Sequence, residues 1–269
     1  MKQPRYTIYK TRSTVPMNGK LEGIWQQAPW SDRFVDVISG DPIVLDSRVK
    51  CLWDEENLYI GFWSDEPFLA GNLTERDSII FQENDVEVFI GDGDTYYELE
   101  LNARNTLYEV FYIWRDVYVK NGWHKRPEYD LLTTEARTFG GNFDRTVEHF
   151  WTGSDPRGDK FAFIHWDFPG IETAVYLDGT LNDHSDIDKG WSAVIKLPWA
   201  GMTDLENGKP IPPKDGDFWK IGFYRYEQLR LNGEKISCGW GLDKLGDNDN
   251  HHPERFSDCM FSETFVEDL

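Results

Sequence analysis

The sequence predicts an all-β protein, most simply an antiparallel β-sandwich of two packed sheets with long loops. Short segments rich in Val, Ile, Tyr, Phe and Trp recur along the chain, and many of them alternate apolar and polar residues. Turn signals containing Gly, Asn and Asp separate these segments, and no long stretch repeats with the period of a helix. We find no repeat and no linker, so residues 1–269 are predicted to form a single domain.

Strand-like segments follow one another from the first residues to the last. They cover residues 5–10, 47–54, 57–65, 85–92, 96–102, 106–114, 171–179, 190–199, 218–227, 235–242 and 259–265. Hairpin turns are predicted at residues 54–58, 91–94 and 230–235. Single helical turns are predicted at residues 21–28 and 197–202. Residues 116–170 are irregular and rich in Gly, Pro and charge, which predicts long loops with a few strands between them.

The net charge is strongly negative, because 48 Asp and Glu residues outnumber 28 Lys and Arg residues and give −20. Such a surface repels nucleic acid and anionic membranes, so we expect no nucleic-acid partner. No apolar run reaches the ~20 residues that a membrane span needs, so no membrane span is expected. No signal peptide is visible, which predicts a cytoplasmic protein if Met1 is native and a secreted or periplasmic one otherwise.

The chain is rich in aromatic residues and contains three cysteines. With 12 Trp, 12 Tyr and 17 Phe, the chain can fill a large core and line a ligand site as well. Cys51, Cys238 and Cys259 lie in apolar, strand-like stretches, and their odd number favours buried free thiols. Their spacing relative to His does not resemble a zinc site.

A row of acidic and amide side chains is predicted along the hairpin of residues 83–102. Glu98, Glu100 and Asn102 share one face of its second strand, because successive side chains alternate between faces. On the first strand Glu87 stands between two valines, so we expect it on a face that opens to a pocket rather than in the core. These residues form either a solvated surface or a surface that holds a ligand.

Five segments in order resemble motifs of carbohydrate-binding module family 9. They are GKLEGIWQQAPW, VKCLWDEENLYIGFWSDEP, NDVEVFI followed by YYELELN, DGTLNDHSDIDKGWSAVIKLPW, and NHHPERFSDCMF. Together they run almost end to end. The resemblance implies a bacterial β-sandwich that binds a neutral oligo- or polysaccharide without catalysis. Modules of this family are often attached to xylanases, whereas this chain is expected to act as a standalone module.

The resemblance also implies where the sugar would bind. Glu87 matches the family's Glu that binds sugar hydroxyls, and Phe81 matches a Trp that stacks on the sugar ring. Glu100 stands in place of an Arg that faces the ligand, and Tyr226 stands in place of a Gln. Asn250 occupies the position of a second stacking Trp. The site is therefore expected to keep one aromatic wall and to lose the other.

Three further residues complete the expected ligand-binding set. Asn102 shares the predicted face of Glu100. Trp123 has polar neighbours, which favours it as a stacking platform for a sugar ring. His251 could donate a hydrogen bond to the ligand, with a loop hydrogen bond inside the protein as the alternative. The other tryptophans considered as platforms are Trp114, Trp151 and Trp166.

No cofactor is expected to be required, and a structural calcium ion is the metal that the sequence suggests. Asp183, Asp186 and Asp188 crowd into one predicted turn and offer the oxygen ligands that calcium prefers. A second acidic cluster consists of Asp243, Asp247 and Asp249. Neither cluster matches an EF-hand loop.

Three other functions stay open at this stage. A carbohydrate-active enzyme, similar to a glycoside hydrolase, could use Glu87 and Glu100 as a carboxylate pair ~5–9 Å apart. A haem-binding relative would need Met and His ligands, and of the four methionines only Met260 lies in a strand-like segment. A protein-interaction domain would present an acidic face to a basic partner.

Overall fold

The structure, a computed structural model, describes residues 3–91, 93–139, 155–231 and 234–269. Its regular secondary structure consists mainly of β-strands. Its fourteen strands are β1 (Tyr6–Lys10), β2 (Val35–Asp36), β3 (Ser47–Trp53), β4 (Asn57–Asp65), β5 (Asp85–Ile90), β6 (Thr95–Asn102), β7 (Leu107–Trp114), β8 (Ala136–Phe139), β9 (Lys160–Phe163), β10 (Glu172–Asp178), β11 (Gly190–Pro198), β12 (Phe218–Leu231), β13 (Glu234–Gly241) and β14 (Ser257–Phe265).

Helical structure is limited to short turns in the described residues. One α-helical turn, α1, spans Arg115–Tyr118. The 3₁₀ turns are Gly23–Gln26, Ile80–Gln82, Trp123–Lys125, Pro127–Tyr129, Trp199–Met202, Pro253–Arg255 and Val266–Asp268. The predicted helical turns at 21–28 and 197–202 are thus confirmed. None of the helices in the described ranges combines the length and the apolar character needed to cross a membrane.

Every segment that the sequence predicts as a strand is a strand in the structure. The sequence does not locate β2, β8 or β9, which are two to four residues long, although β8 and β9 fall within residues 116–170, where it predicts a few strands. Strands this short show too little alternation to be recognised from the sequence. The predicted loop residues 140–154, with Trp151 among them, lie outside the described residues.

The strands form two layers that join into one continuous sheet. Their order is β10-β11-β4-β3-β1-β14-β12-β5-β6-β7-β9-β8, and β13 pairs with both β12 and β2. β1 is parallel to its neighbours β3 and β14, while the other pairs are antiparallel. A parallel pair needs a long connection, which residues 11–46 supply between β1 and β3. The predicted sandwich is confirmed, with β1 as a parallel seam between its layers.

Aromatic side chains pack the two layers against each other. Phe62 on β4 meets Phe223 on β12 edge to face, with 6.2 Å between ring centroids. Trp53 on β3 meets Phe261 on β14 at 5.9 Å in the same geometry. These contacts define the inner face of β12, so the side chains that alternate with Phe223 point away from the core.

The cysteines behave largely as the sequence predicts. Cys51 and Cys259 are buried free thiols within the core. Cys238 is also free but only half-buried.

β12 pairs with three other strands and contributes side chains to the outer face of the sheet. Its start pairs with β14 and its end with β13, while β5 pairs along its other edge. In this register Tyr224 lies opposite Glu87, and Tyr226 lies opposite Asp85. These four side chains therefore share the outer face.

Arg225, between these tyrosines, points to the inner face and is fully buried with two carboxylates. Its guanidinium donates hydrogen bonds to Glu66 at 3.1 Å and to Glu227 at 2.6 Å. It also donates to the hydroxyl of Ser47 at 2.8 Å and lies 5.2 Å from the ring centroid of Trp240. Removing one partner of a buried ion pair is strongly destabilising, because the other charge stays buried without compensation.

The substitution Arg225→Met should lower the free energy of unfolding by about 3–5 kcal/mol, since Glu66 and Glu227 would lose their cation. Arg48→Met is the matched control, because Arg48 pairs with Asp46 near the surface and its loss should cost about 0–1 kcal/mol. Urea unfolding of the two variants measures the difference. Equal losses would contradict the structural role assigned to Arg225.

Candidate functional site

The outer face of β12, β5 and β6 carries a group of acidic side chains. Asp85 and Glu87 alternate along β5, and Glu98 and Glu100 alternate along β6. The antiparallel register places Glu87 opposite Glu100, and Asp85 opposite Asn102. Asp85, Glu87, Glu98 and Glu100 are called the acidic cluster below.

The acidic cluster is buried. Asp85 is 0% exposed, Glu87 2%, Glu98 4% and Glu100 1%. These values show that the row of carboxyl groups is not a solvated surface. Removing carboxylates from water is expensive unless their charge is neutralised or matched. Ionising all four groups in this position would therefore carry a substantial electrostatic penalty.

Burial raises the pKa of Asp85, Glu87 and Glu100 well above the usual range of carboxyl groups. Negative charge on neighbouring members of the cluster raises each pKa further. Several contacts oppose the rise, among them backbone hydrogen bonds from Tyr226 to Asp85 and from Phe81 to Glu100. The hydrogen bond from Asn250 lowers the pKa of Glu87, and the charge of Arg225 behind the sheet lowers that of Asp85.

Hydrogen bonds satisfy only part of the cluster. Asn250 Nδ2 donates to Glu87 Oε2, and the backbone N–H of Tyr226 donates to Asp85 Oδ1 at 3.3 Å. Within the described residues, Asp85 Oδ2 and Glu100 Oε2 are buried and have no hydrogen-bond partner. Such oxygens are rare in proteins, because nearly all buried polar atoms are paired.

Glu98 lies at the other end of the cluster, where polar partners are available. Tyr112 donates its hydroxyl to Glu98 Oε2, and His251 Nε2 lies 3.5 Å from Glu98 Oε1. Burial raises the pKa of Glu98 to about 7, while the bond from Tyr112 and the charge of Lys160 lower it. We call the opposite end of the cluster, where Asp85 Oδ2 and Glu100 Oε2 lack a hydrogen-bond partner among the described residues, the unpaired end.

Two residues predicted to bind the ligand are engaged by the protein itself. Asn102 Oδ1 accepts the backbone N–H groups of Arg104 at 2.9 Å and Thr106 at 3.0 Å, which closes the β6–β7 hairpin. His251 Nδ1 lies 3.0 Å from the hydroxyl of Tyr96. Burial lowers the pKa of His251 well below its usual value. Both side chains are therefore occupied by contacts within the protein that stabilise this part of the sheet.

Phe81 and Tyr226 are half-buried at the unpaired end of the cluster, and we call them the aromatic rim. Phe81 precedes β5 and packs edge to face against Tyr108, with 5.8 Å between ring centroids. Tyr226 lies opposite Asp85 on one side and Gly239 on the other. A Cβ atom at Gly239 would come within 3.1 Å of the Tyr226 ring, so the glycine leaves room for it.

Trp123 is not part of this face. It packs against Phe111 on β7, with 6.2 Å between ring centroids, and Trp166 contacts the same ring. Phe111 precedes Tyr112, which reaches Glu98 on the outer face, so Phe111 points to the opposite side of the sheet. Trp123 and Trp166 therefore lie behind the sheet, away from the acidic cluster.

The turn predicted to bind calcium does not gather its carboxylates. Asp188 accepts the backbone N–H groups of Leu69 and Thr180, while Asp183 and Asp186 are exposed. Among the described residues, two other groups of three side chains place potential metal-ligating atoms within 4.8 Å of one another. These groups are Asp155, His252 and Glu254, and Asp85, Glu87 and Glu100.

Sequence reasoning brings Phe81, Glu87, Glu100 and Tyr226 to one face but misses some of their neighbours. Asp85 stands two residues before Glu87 on β5, so the alternation of side chains already predicts that the two share a face. The contact of Asn250 with Glu87 has no such signal, since 163 residues separate the two. The same holds for Lys160, which comes near Glu98 through the pairing of β9 with β7.

Comparison with known proteins identifies solved structures with a similar fold. No protein-family model and no curated protein sequence matches the chain. Solved structures with this fold include a family 9 carbohydrate-binding module from Caldicellulosiruptor kristjanssonii in complex with cellotriose. It has 12% sequence identity to this chain and a TM-score of 0.52. The match covers 98% of this chain and 97% of that one. The glucose complex from that organism has 13% identity, a TM-score of 0.52 and coverage of 96% of each chain.

A Bacteroides uniformis protein, named as a candidate carbohydrate-binding protein, has 14% identity and a TM-score of 0.59. The match covers 95% of this chain and 98% of that one. At these identities the comparison shows a shared fold. The resemblance to carbohydrate-binding module family 9 is thus confirmed at the level of the fold, over almost the whole chain.

The raised pKa of Glu98 predicts a pH-dependent stability. A carboxyl group whose pKa rises from 4.5 to about 7 on folding stabilises the protein fully below pH about 4.5, and this contribution is lost as pH rises through about 7. Glu98→Gln should therefore gain stability relative to the wild type between pH about 5 and about 8, by up to about 3 kcal/mol. Urea unfolding in buffer without divalent cations measures this gain.

Tyr112→Phe is the matched control for this prediction, because it keeps Glu98 and removes one hydrogen bond to its carboxylate. The hydrogen bond from Tyr112 lowers the pKa of Glu98, so this pKa should be higher in Tyr112→Phe. The stability that this variant loses as the pH rises should therefore be lost over a higher pH range than in the wild type. A stability difference between Glu98→Gln and the wild type that does not change with pH would contradict the assignment.

Proposed function

We propose that this protein binds carbohydrate without catalysis, at the aromatic rim over the acidic cluster. The observation that carries the proposal is the coincidence of two features on one face. Phe81 and Tyr226 offer half-buried aromatic surface, and buried carboxyl groups lie beneath them. Aromatic rings suit the apolar faces of sugar rings, and carboxylates accept hydrogen bonds from vicinal hydroxyls.

The known structures with this fold support a neutral sugar as the ligand. Two of them are family 9 modules in complex with cellotriose and with glucose, both of which are uncharged. We therefore propose a neutral oligo- or polysaccharide as the ligand class of this chain. Glucose and cellotriose are the first compounds to test.

Catalysis on sugars is the second candidate, because the pKa values of Glu87 and Glu100 are raised. Retaining glycosidases place two carboxyl groups ~5–5.5 Å apart, and one of them stays ionised as the nucleophile. Here both groups are buried, their pKa values move in the same direction, and their oxygens come within 4.8 Å. The arrangement therefore favours binding over catalysis. Release of a shorter sugar from an oligosaccharide would support an enzyme instead.

Loss of the rim should abolish sugar binding. Phe81→Ala removes the aromatic surface that would stack on a sugar ring, so no binding should remain measurable by titration calorimetry. Phe68→Ala is the matched control, because Phe68 is 49% exposed and contacts His184, away from the acidic cluster. It should keep the wild-type affinity. Full affinity in Phe81→Ala would place the binding site elsewhere.

Binding should be weak and should favour neutral sugars over uronates. A single aromatic wall leaves much of a sugar ring wet, and hydroxyl groups gain little when they exchange water for protein partners. We expect dissociation constants on the order of 0.1–10 mM for mono- or disaccharides, or ~3–5 kcal/mol. The net charge of −20 should repel uronates, so in buffer without divalent cations a titration with oligogalacturonate should give weaker binding than one with cellotriose. Tighter binding of the uronate would contradict the proposed ligand class.

A further inference from the structure

Three members of the acidic cluster converge on one point of the sheet. Asp85 and Glu87 are two residues apart on β5 and so point to the same side, and Glu100 lies directly opposite Glu87 on β6. Each of the three offers one carboxylate oxygen that lies within 4.8 Å of the oxygens offered by the other two. The backbone ladder holds this convergence, so it does not depend on a flexible loop.

Nothing in the described part of the chain neutralises these three groups by an ion pair. Arg225 on β12 points to the inner face and hydrogen-bonds to Glu66 and Glu227. Three ionised carboxylates would place three negative charges in a region where each residue is at most 2% exposed. Such a concentration of charge is stable only if the groups are protonated or if they hold a cation.

The hydrogen-bond inventory distinguishes this end of the cluster from the end at Glu98. Asp85 Oδ2 and Glu100 Oε2 are buried, and the described residues contribute no hydrogen-bond partner to either. An oxygen with unused lone pairs, fixed at close range to other carboxylate oxygens, is a ready ligand for a cation. This lack of partners is an observation independent of the acidic composition of the strands.

We propose that Asp85, Glu87 and Glu100 form a binding site for a hard divalent cation of the size of calcium. Calcium lies at about 2.3–2.6 Å from its oxygen ligands, so ligands on opposite sides of the ion are about 4.6–5.2 Å apart. The spacing of the three carboxylates, within 4.8 Å, fits this shell. Magnesium requires shorter distances and stricter octahedral geometry, and zinc favours His and Cys ligands, which this group does not contain.

The cation site goes beyond the proposed function and does not depend on it, because its test needs no sugar. It also differs from the site that the sequence predicts. In the turn containing Asp183 and Asp186 both carboxylates are exposed, and the oxygens of Asp188 are taken by backbone N–H groups. The two locations can therefore be separated by substitution.

The experiment is a calcium titration of the full chain after treatment with a chelator, followed by calorimetry and by thermal unfolding. We expect one calcium ion per chain and a melting temperature that rises with calcium concentration, since a ligand bound by the native state stabilises it. Magnesium should raise the melting temperature less than calcium. Terbium, which resembles calcium in size, should show luminescence sensitised by Tyr224 and Tyr226, which lie opposite Glu87 and Asp85.

Glu100→Gln tests the assignment because it removes one charge and keeps the shape of the side chain. Calcium affinity and the terbium signal should fall at least about tenfold, since ligand charge sets the affinity of calcium sites. In chelator the melting temperature of this variant should equal or exceed that of the wild type, because a buried negative charge has been removed. That measurement also shows that the variant folds.

The double variant Asp183→Asn, Asp186→Asn is the matched control and should keep the calcium response of the wild type. Two results would overturn the proposal. One is a wild-type protein that binds neither calcium nor terbium, which would leave protonation as the way the cluster is stabilised. The other is a calcium response that stays unchanged in both Glu100→Gln and Glu87→Gln.

Discussion

The pairing of β5 with β6 on one edge and with β12 on the other is the constraint on which the site depends. It places Asp85 and Glu87 on the same face as Glu98 and Glu100, and it places Arg225 on the opposite face. A slip of one residue would exchange the two faces and bring the carboxyl groups into the sandwich core. The apolar residues of β5, which fill that core, therefore also hold the acidic cluster in position.

The acidic cluster is electrostatically uneven, and this unevenness is the basis for the binding sites proposed on this face. At one end Glu98 receives a hydrogen bond from Tyr112 and lies near Lys160. At the other end Asp85 and Glu100 keep buried oxygens without partners in the described chain. The aromatic rim lies at that second end. A sugar at the rim and a cation among the carboxylates would thus occupy adjacent parts of one face. The sugar would contact the aromatic rings, and the cation would contact the carboxylate oxygens.

The comparison with known structures separates the fold from the site. A shared fold over 95–98% of this chain persists at 12–14% sequence identity, because many sequences satisfy the same pattern of core-facing residues. The site depends on far fewer positions. Here Phe81 and Asn250 stand where the resemblance places two stacking tryptophans, and Asn250 hydrogen-bonds to Glu87 instead of forming a second wall. The ligand of a relative is therefore a proposal for this chain.

The sequence by itself determined the strands and the side chains that share a face. Alternation with a period of two residues is local, so it revealed the longer strands and grouped Glu100 with Asn102 on β6. Only the tertiary structure decided that this face is buried, that Trp123 lies behind the sheet, and that Asn250 reaches Glu87 across 163 residues. These outcomes depend on how distant strands and loops pack together, and local periodicity carries no information about such packing.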